Sequence, residues 1–364
     1  MMEAERVLMK RALELARLGA GLVSPNPMVG ALLVKDGRVV GEGYHRFDRL
    51  KHAESYALES AGKNAAGATL YCTLEPCCTQ GRTPPCTDAL IAARIARAVI
   101  AIRDPNPKVN GRGIEQLRAA GIDVEVGLCE EESRKLIESY SKFITTRLPF
   151  VHAVAEHIVG SQTDEGSITS SHKPAADWSP SKELCSDVVA YDALVLGGEY
   201  RSEAKLVNAK LQQHRHRPLV LVAVDRIVDK LRNKFAGNSD VIVWKLSDLA
   251  TMQNHAARAG LRIVTAGGDR PSGPEHFEIN ELMMALGKLG VTSFLATPGA
   301  FDFADEANFR VLDKLTLLAS ADFDFGSSTR MTLGEVEFDF ADVTSTHESN
   351  HTELTGYPTL LEIA

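Results

Sequence analysis

The sequence predicts two α/β units joined near residue 146: a layered unit in which helices alternate with short strands, then a doubly wound, mostly parallel sheet. Three observations carry this. The chain has 364 residues, enough for two ordinary cores. Its apolar pattern switches repeatedly between helical and strand periods. A helical pattern that runs to Ile144 is followed by Leu148-Pro149, a step that disfavours helix and marks a boundary.

In chain order, residues 4–18 set Val7, Leu8, Leu15 and Leu18 among basic residues, an amphipathic helix that stops at Gly19. The turn-rich Ser24-Pro25-Asn26-Pro27 follows. Strands over 28–34 and 38–43 flank Asp36-Gly37, a dipeptide suited to the positive φ of a tight hairpin. Then come a helix over 52–61, a strand over 69–73, a helix over 87–95 and a strand over 98–102. After Asp104-Pro105-Asn106-Pro107, a helix over 114–119, a strand over 123–126 and a helix over 130–144 close the first unit. The second places strands at 193–196, 219–224, 241–244, 262–265, 293–296 and 314–318, and helices at 182–189, 249–259 and 280–289. Ligands of such a sheet sit beyond the carboxyl ends of its strands.

With 44% hydrophobic and 24% charged residues, the chain is neither disordered, collagen-like nor a disulfide scaffold. Apolar runs such as 219–224 fall far short of the roughly 20 residues of a spanning helix. Glu3, Glu5, Arg6 and Lys10 are unlike the start of a signal peptide, so a cytoplasmic protein without a membrane partner is expected. The net charge of −8 is uneven: residues 1–146 hold 20 basic and 18 acidic side chains, the rest 20 and 30. The acidic second half argues against nucleic acid, and the mildly positive first half suits a small anionic substrate.

Four of the six cysteines fall between residues 72 and 86, which in a reducing compartment points to metal or redox chemistry. His52-Ala53-Glu54, Pro76-Cys77 and Cys86 supply an imidazole and two thiols. Three such ligands leave zinc a fourth position for water, as in catalytic sites. Zinc acidifies that water, and Glu54, a carboxylate outside the ligand set, can move protons. Zinc nucleobase deaminases combine His-x-Glu with Pro-Cys-x-x-Cys; here the second cysteine follows nine positions after Cys77. Cys78, Cys72, Cys129 and Cys185 read as packing residues. The plain alternative is a structural zinc or buried thiols. Gly111-Arg112-Gly113 lacks the strand and spacing of a dinucleotide fingerprint, Gly267-Gly268 reads as a turn, and His214 and His216 as a basic surface loop.

These motifs, with Ser24-Pro25-Asn26-Pro27-Met28-Val29-Gly30, Gly41-Glu42-Gly43-Tyr44-His45, Thr73-Leu74-Glu75-Pro76-Cys77-Cys78 and Gly81-Arg82-Thr83-Pro84-Pro85-Cys86, resemble the deaminase domain of bacterial riboflavin-biosynthesis deaminase/reductase proteins. The resemblance covers essentially the whole first unit. It implies a cytidine-deaminase-like three-layer domain over 1–146 and a dihydrofolate-reductase-like domain over 147–364. One zinc ion would be held by His52, Cys77 and Cys86. The implied reaction is hydrolysis of 2,5-diamino-6-(5-phosphoribosylamino)pyrimidin-4-one to 5-amino-6-(5-phosphoribosylamino)uracil and ammonia, with Glu54 carrying protons. Asn26, His45, Arg82, Asp104 and Asn106 would contact substrate, Arg82 at the phosphate. A homo-oligomer is also implied.

After Leu148-Pro149-Phe150-Val151 the resemblance fades. The family's glycine-threonine turn is replaced by Gly197-Gly198-Glu199-Tyr200-Arg201 and its Glu-Gly-Gly turn by Thr297-Pro298-Gly299-Ala300, where Pro298 offers no N–H to a phosphate. Reductase activity is therefore expected to be weak or lost, and NADPH is expected only if this domain is active. The alternatives are a fully bifunctional enzyme, a paralogue acting on another pyrimidine or nucleoside, to which Arg49, Lys51, Thr79 and Gln80 point, or a zinc-stabilised assembly protein.

Overall fold

The computed structural model describes residues 2–47, 51–81, 83–156, 158–162, 168–171, 180–197, 200–212, 219–223, 225–238, 241–245, 279–303, 305–320, 330–333, 336–348 and 351–361. The chain divides into two units, Met1–Thr146 and Arg147–Ala364.

In the first unit Asp36 and Gly37 take the positive φ values (49° and 70°) that a tight hairpin needs. They join β1 (Gly30–Lys35) to β2 (Arg38–Tyr44). With β3 (Thr69–Cys72), β4 (Arg97–Ile100) and β5 (Asp123–Val126) these form a sheet of order β2-β1-β3-β4-β5, antiparallel up to β3 and parallel beyond it. Side chains alternate between its faces. Leu32, Val34, Tyr71 and Val99 pack with Met9, Ala12 and Leu13 of α1 (Met2–Arg17). Ala31, Leu33, Leu70, Cys72, Ala98 and Ile100 face the opposite layer, where α2 (Ala53–Ala61), α3 (Cys86–Ala92) and α4 (Arg112–Ala119) contribute Ala53, Ala57, Leu90, Ile114 and Leu117. The unit therefore has three layers.

The helix expected over 130–144 is two helices, α5 (Glu130–Leu136) and α6 (Glu138–Thr146). Ile137, at φ −114° and ψ 18°, breaks the run so that its own side chain and Tyr140 both reach the core. Propensity alone favours continuity; burial of these two residues overrides it.

The second unit contains β6 (Phe150–Glu156), β7 (Ile158–Gln162), β8 (Ile168–Ser171), β9 (Ala193–Leu196), β10 (Leu219–Ala223), β11 (Val241–Lys245), β12 (Ser293–Ala296), β13 (Lys314–Ser320), β14 (Arg330–Leu333), β15 (Val336–His347) and β16 (His351–Leu360). Their order is β11-β10-β9-β12-β6-β13-β16-β15-β14-β8-β7. The run from β11 to β13 is parallel, as the near-continuous apolar character of Leu219–Ala223 and Ala193–Leu196 implies. The antiparallel β15/β16 hairpin extends the sheet in a way the sequence analysis did not anticipate. Helices α7 (Lys182–Asp187), α8 (Tyr200–Leu211), α9 (Asp225–Phe235) and α10 (Ile279–Lys288) connect the parallel strands. The expected strand 262–265, helix 249–259, Gly267-Gly268, His214 and His216 lie outside the described residues. Among the described residues no helix is long and apolar enough to cross a membrane.

Candidate active site

The amino end of α2 carries two of the expected residues, and glycines on β2 decide where it sits. A Cβ on Gly41 would lie 2.1 Å from the Ala57 carbonyl oxygen, and one on Gly43 would lie 2.3 Å from that of Ala53. The helix backbone thus rests on the strand with no room for a methyl group. His52 precedes the helix in extended conformation (φ −81°, ψ 163°), and Glu54 in the first turn is only 4% exposed. Gly43→Ala should push this end of α2 outward, since backbone rather than a pliant side chain blocks the methyl. The expected results are a loss of about 1–3 kcal/mol in urea melts, the usual cost of overpacking, and less than one zinc per chain.

Cys77 follows β3 on a loop, and Cys86, buried, opens α3 after Pro85 at φ −55°. The two segments are sewn together. Cys86 N–H donates to Cys77 Sγ (3.4 Å) and Thr87 N–H to the Cys77 carbonyl (3.2 Å). The Thr87 hydroxyl donates to Gln116 Oε1 at 2.9 Å. His52 Nδ1 lies 3.1 Å from Cys86 Sγ and 3.4 Å from Cys77 Sγ, and the three ligand atoms all fall within 4.8 Å of one another. One imidazole nitrogen and two sulfurs at this separation fit zinc with a position to spare. Hydrogen bonds from Cys86 and His52 outweigh burial and hold the Cys77 thiol well below its ordinary range, toward the thiolate that binds metal. Burial raises the Glu54 carboxyl, so it holds a proton more readily than an exposed glutamate.

Asn26, two residues after Ser24, and His45, the residue that follows β2, meet beside this cluster. His45 Nδ1 is 3.0 Å from the Lys51 carbonyl, which makes Nδ1 the protonated nitrogen and Nε2 the acceptor of the Asn26 amide at 3.3 Å. The rings of His45 and His52 stand edge to face, 5.3 Å between centroids. Asp104 is buried after β4, and its Oδ1 accepts from Asn106 N–H (2.8 Å) and the Tyr140 hydroxyl (3.1 Å). Burial pushes its pKa up to about 6. Asn106 Oδ1 accepts from Lys108 N–H at 3.0 Å, so both side chains shape the loop they sit on. Arg82 lies outside the described residues. Sequence reasoning missed Tyr140 behind Asp104, the Thr87–Gln116 bond and a structural role for Glu75.

Residues 2–102 match the family model of the cytidine and deoxycytidylate deaminase zinc-binding region. The diaminohydroxyphosphoribosylamino-pyrimidine deaminase of Buchnera aphidicola subsp. Schizaphis graminum is 46% identical over 145 residues, 40% of this chain and 99% of that protein. The chain belongs to the riboflavin-biosynthesis deaminase/reductase family. Another member of this family, the riboflavin biosynthesis protein RibD of Aquifex aeolicus, is 53% identical over 149 residues, so the chain spans about two fifths (42%) of that relative's length. Likeness in three dimensions reaches further. The deaminase/reductase of Thermotoga maritima aligns over 98% of this chain and 99% of its own, with a TM-score of 0.71 and 27% identity. Acinetobacter baumannii RibD aligns over 99% of this chain and all of its own at 0.68 and 26%. Both units therefore have the folds of this deaminase/reductase family, the second with the reductase-like fold.

Proposed function

We propose that the first unit deaminates 2,5-diamino-6-(5-phosphoribosylamino)pyrimidin-4-one by zinc-dependent hydrolysis. The observation that carries this is the convergence of His52, Cys77 and Cys86 beside a buried Glu54. Bound there, zinc supplies a water acidic enough to act as nucleophile near neutral pH. Glu54 takes a proton from the attacking water at its carboxylate and gives it to the ring nitrogen. It then takes the remaining proton of the hydroxyl added to the ring carbon and gives it to the amine, which leaves as ammonia as the carbonyl forms. The raised proton affinity that burial gives this carboxyl suits both transfers. The His45–Asn26 pair borders the metal site and would hold the pyrimidine, with Asp104, Asn106 and Arg82 as further substrate contacts.

The second unit keeps the reductase-like fold, but the turn after β12 is poorly built for a dinucleotide phosphate. Thr297 N–H donates to the Val195 carbonyl (2.9 Å), Ala300 N–H donates to the Thr297 carbonyl (3.1 Å), and Pro298 has none. The Thr297 hydroxyl donates to the buried carboxylate of Glu203. A Cβ on Gly197 would lie 1.8 Å from Ala300 N, so the segment after β9 abuts this turn. A phosphate needs free N–H donors and no acid beneath them. These features support a reductase activity that is weak or lost.

The test is mass spectrometry of the product after the zinc-loaded protein meets the ribotide with NADPH present. The expected product shows amine-to-oxygen exchange alone. Two added hydrogens would make the second unit a working reductase. An unchanged ribotide, with zinc bound, would overturn the substrate and favour a paralogue acting on another pyrimidine.

A further inference from the structure

Glu75 stands two residues before Cys77, is only 3% exposed, and is not used in the chemistry above. Its carboxylate is the meeting point of one loop. Oε2 accepts the N–H groups of Asp104 (3.1 Å) and Gly111 (2.8 Å), and Oε1 those of Gly113 (2.8 Å) and Ile114 (3.3 Å). The Glu75 N–H in turn donates to the Ile102 carbonyl at 3.0 Å. Both ends of the segment that holds Asp104 and Asn106 are thus tied to one side chain, and that side chain is joined through Pro76 to a zinc ligand. The four N–H groups and the amino end of α4 offset the cost of burying the charge.

The same contact explains Gly111-Arg112-Gly113, which lacks the strand and spacing of a dinucleotide fingerprint. Gly111 sits at φ +89°, and a Cβ on Gly113 would lie 2.2 Å from the Pro76 carbonyl oxygen and 3.2 Å from Glu75 Oε1. Only glycine lets the start of α4 reach the carboxylate.

Resting on the deaminase reading, we infer that Glu75 is a positioning residue that fixes the Asp104–Asn106 loop against the Cys77 segment for substrate binding. It is not needed to hold the metal, because Cys77 is anchored separately by the N–H groups of Cys86 and Thr87. In Glu75→Gln one oxygen becomes an NH2 group facing two N–H donors. The expected result is a KM for the ribotide raised about tenfold or more, with kcat within about threefold and one zinc per chain.

A second measurement needs no variant. The first amides of a helix have no acceptor within it and ordinarily exchange fast. In the wild-type holoenzyme the Gly113 and Ile114 amides should exchange slowly, and in Glu75→Gln they should lose that protection. An unchanged KM in the variant, loss of its zinc, or fast exchange at both amides in the wild type would overturn the inference. A wild-type chain that leaves the ribotide intact while these amides stay protected would instead refute the substrate and retain the tether.

Discussion

Glu54→Gln is expected to lower turnover of the ribotide by about 10²- to 10⁴-fold, the range that a positioned proton carrier contributes. Zinc should stay at one per chain and the melting temperature should hold or rise. The substitution conserves volume, and Ala53 and Ala57, which seat this helix on β2, are untouched. Glu54 is not one of the three ligand side chains that converge. Its burial raises the energy of the carboxylate, so a neutral amide is no less comfortable in the same place. What the amide cannot do is accept a proton from water and pass it on. Steady-state kinetics beside metal analysis and a thermal melt would check this. Activity within tenfold of wild type would remove Glu54 from the mechanism, and loss of zinc would make it part of the metal's support.

The convergence of His52, Cys77 and Cys86 was legible because few residue types bind zinc and their motifs are local: His52 with Glu54 in one turn, then Cys77 and Cys86 at the two ends of one loop. The first hairpin was equally legible, since Asp36-Gly37 meets a backbone requirement few dipeptides satisfy. Ile137 was not. Nothing in Glu130–Leu136 or Glu138–Thr146 opposes a continuous helix, and the break exists only because Ile137 and Tyr140 both find the core. The β15/β16 hairpin was hidden for a related reason. Past Phe340 the exposure of β15 no longer alternates cleanly, so no strict period announces a strand of 12 residues. Glu75 illustrates a third kind of blindness. Within its motif Glu75 carried no reading of its own, because its four partners are backbone amides, whose only trace in the sequence is the pair Gly111 and Gly113.

Removing the metal should have the other large effect, and it separates a catalytic zinc from one that only braces an assembly protein. Chelation is expected to reduce deamination to background, with recovery on adding one equivalent of zinc; Cys86→Ala should lose activity without recovery. Both should also destabilise the first unit. The ligands come from the amino end of α2, the loop after β3 and the amino end of α3, and only folding brings His52 Nδ1 within 3.4 Å of both sulfurs. A metal that binds the folded chain alone stabilises it by about 4 kcal/mol when free metal is 1,000 times Kd. The loss should appear as faster amide exchange at β1, β3 and β4, the strands beneath the site. Set beside Glu54→Gln, the comparison is decisive. A bracing zinc would make stability and activity fall together in every variant, whereas a catalytic zinc requires Glu54→Gln to keep metal and stability and lose turnover alone.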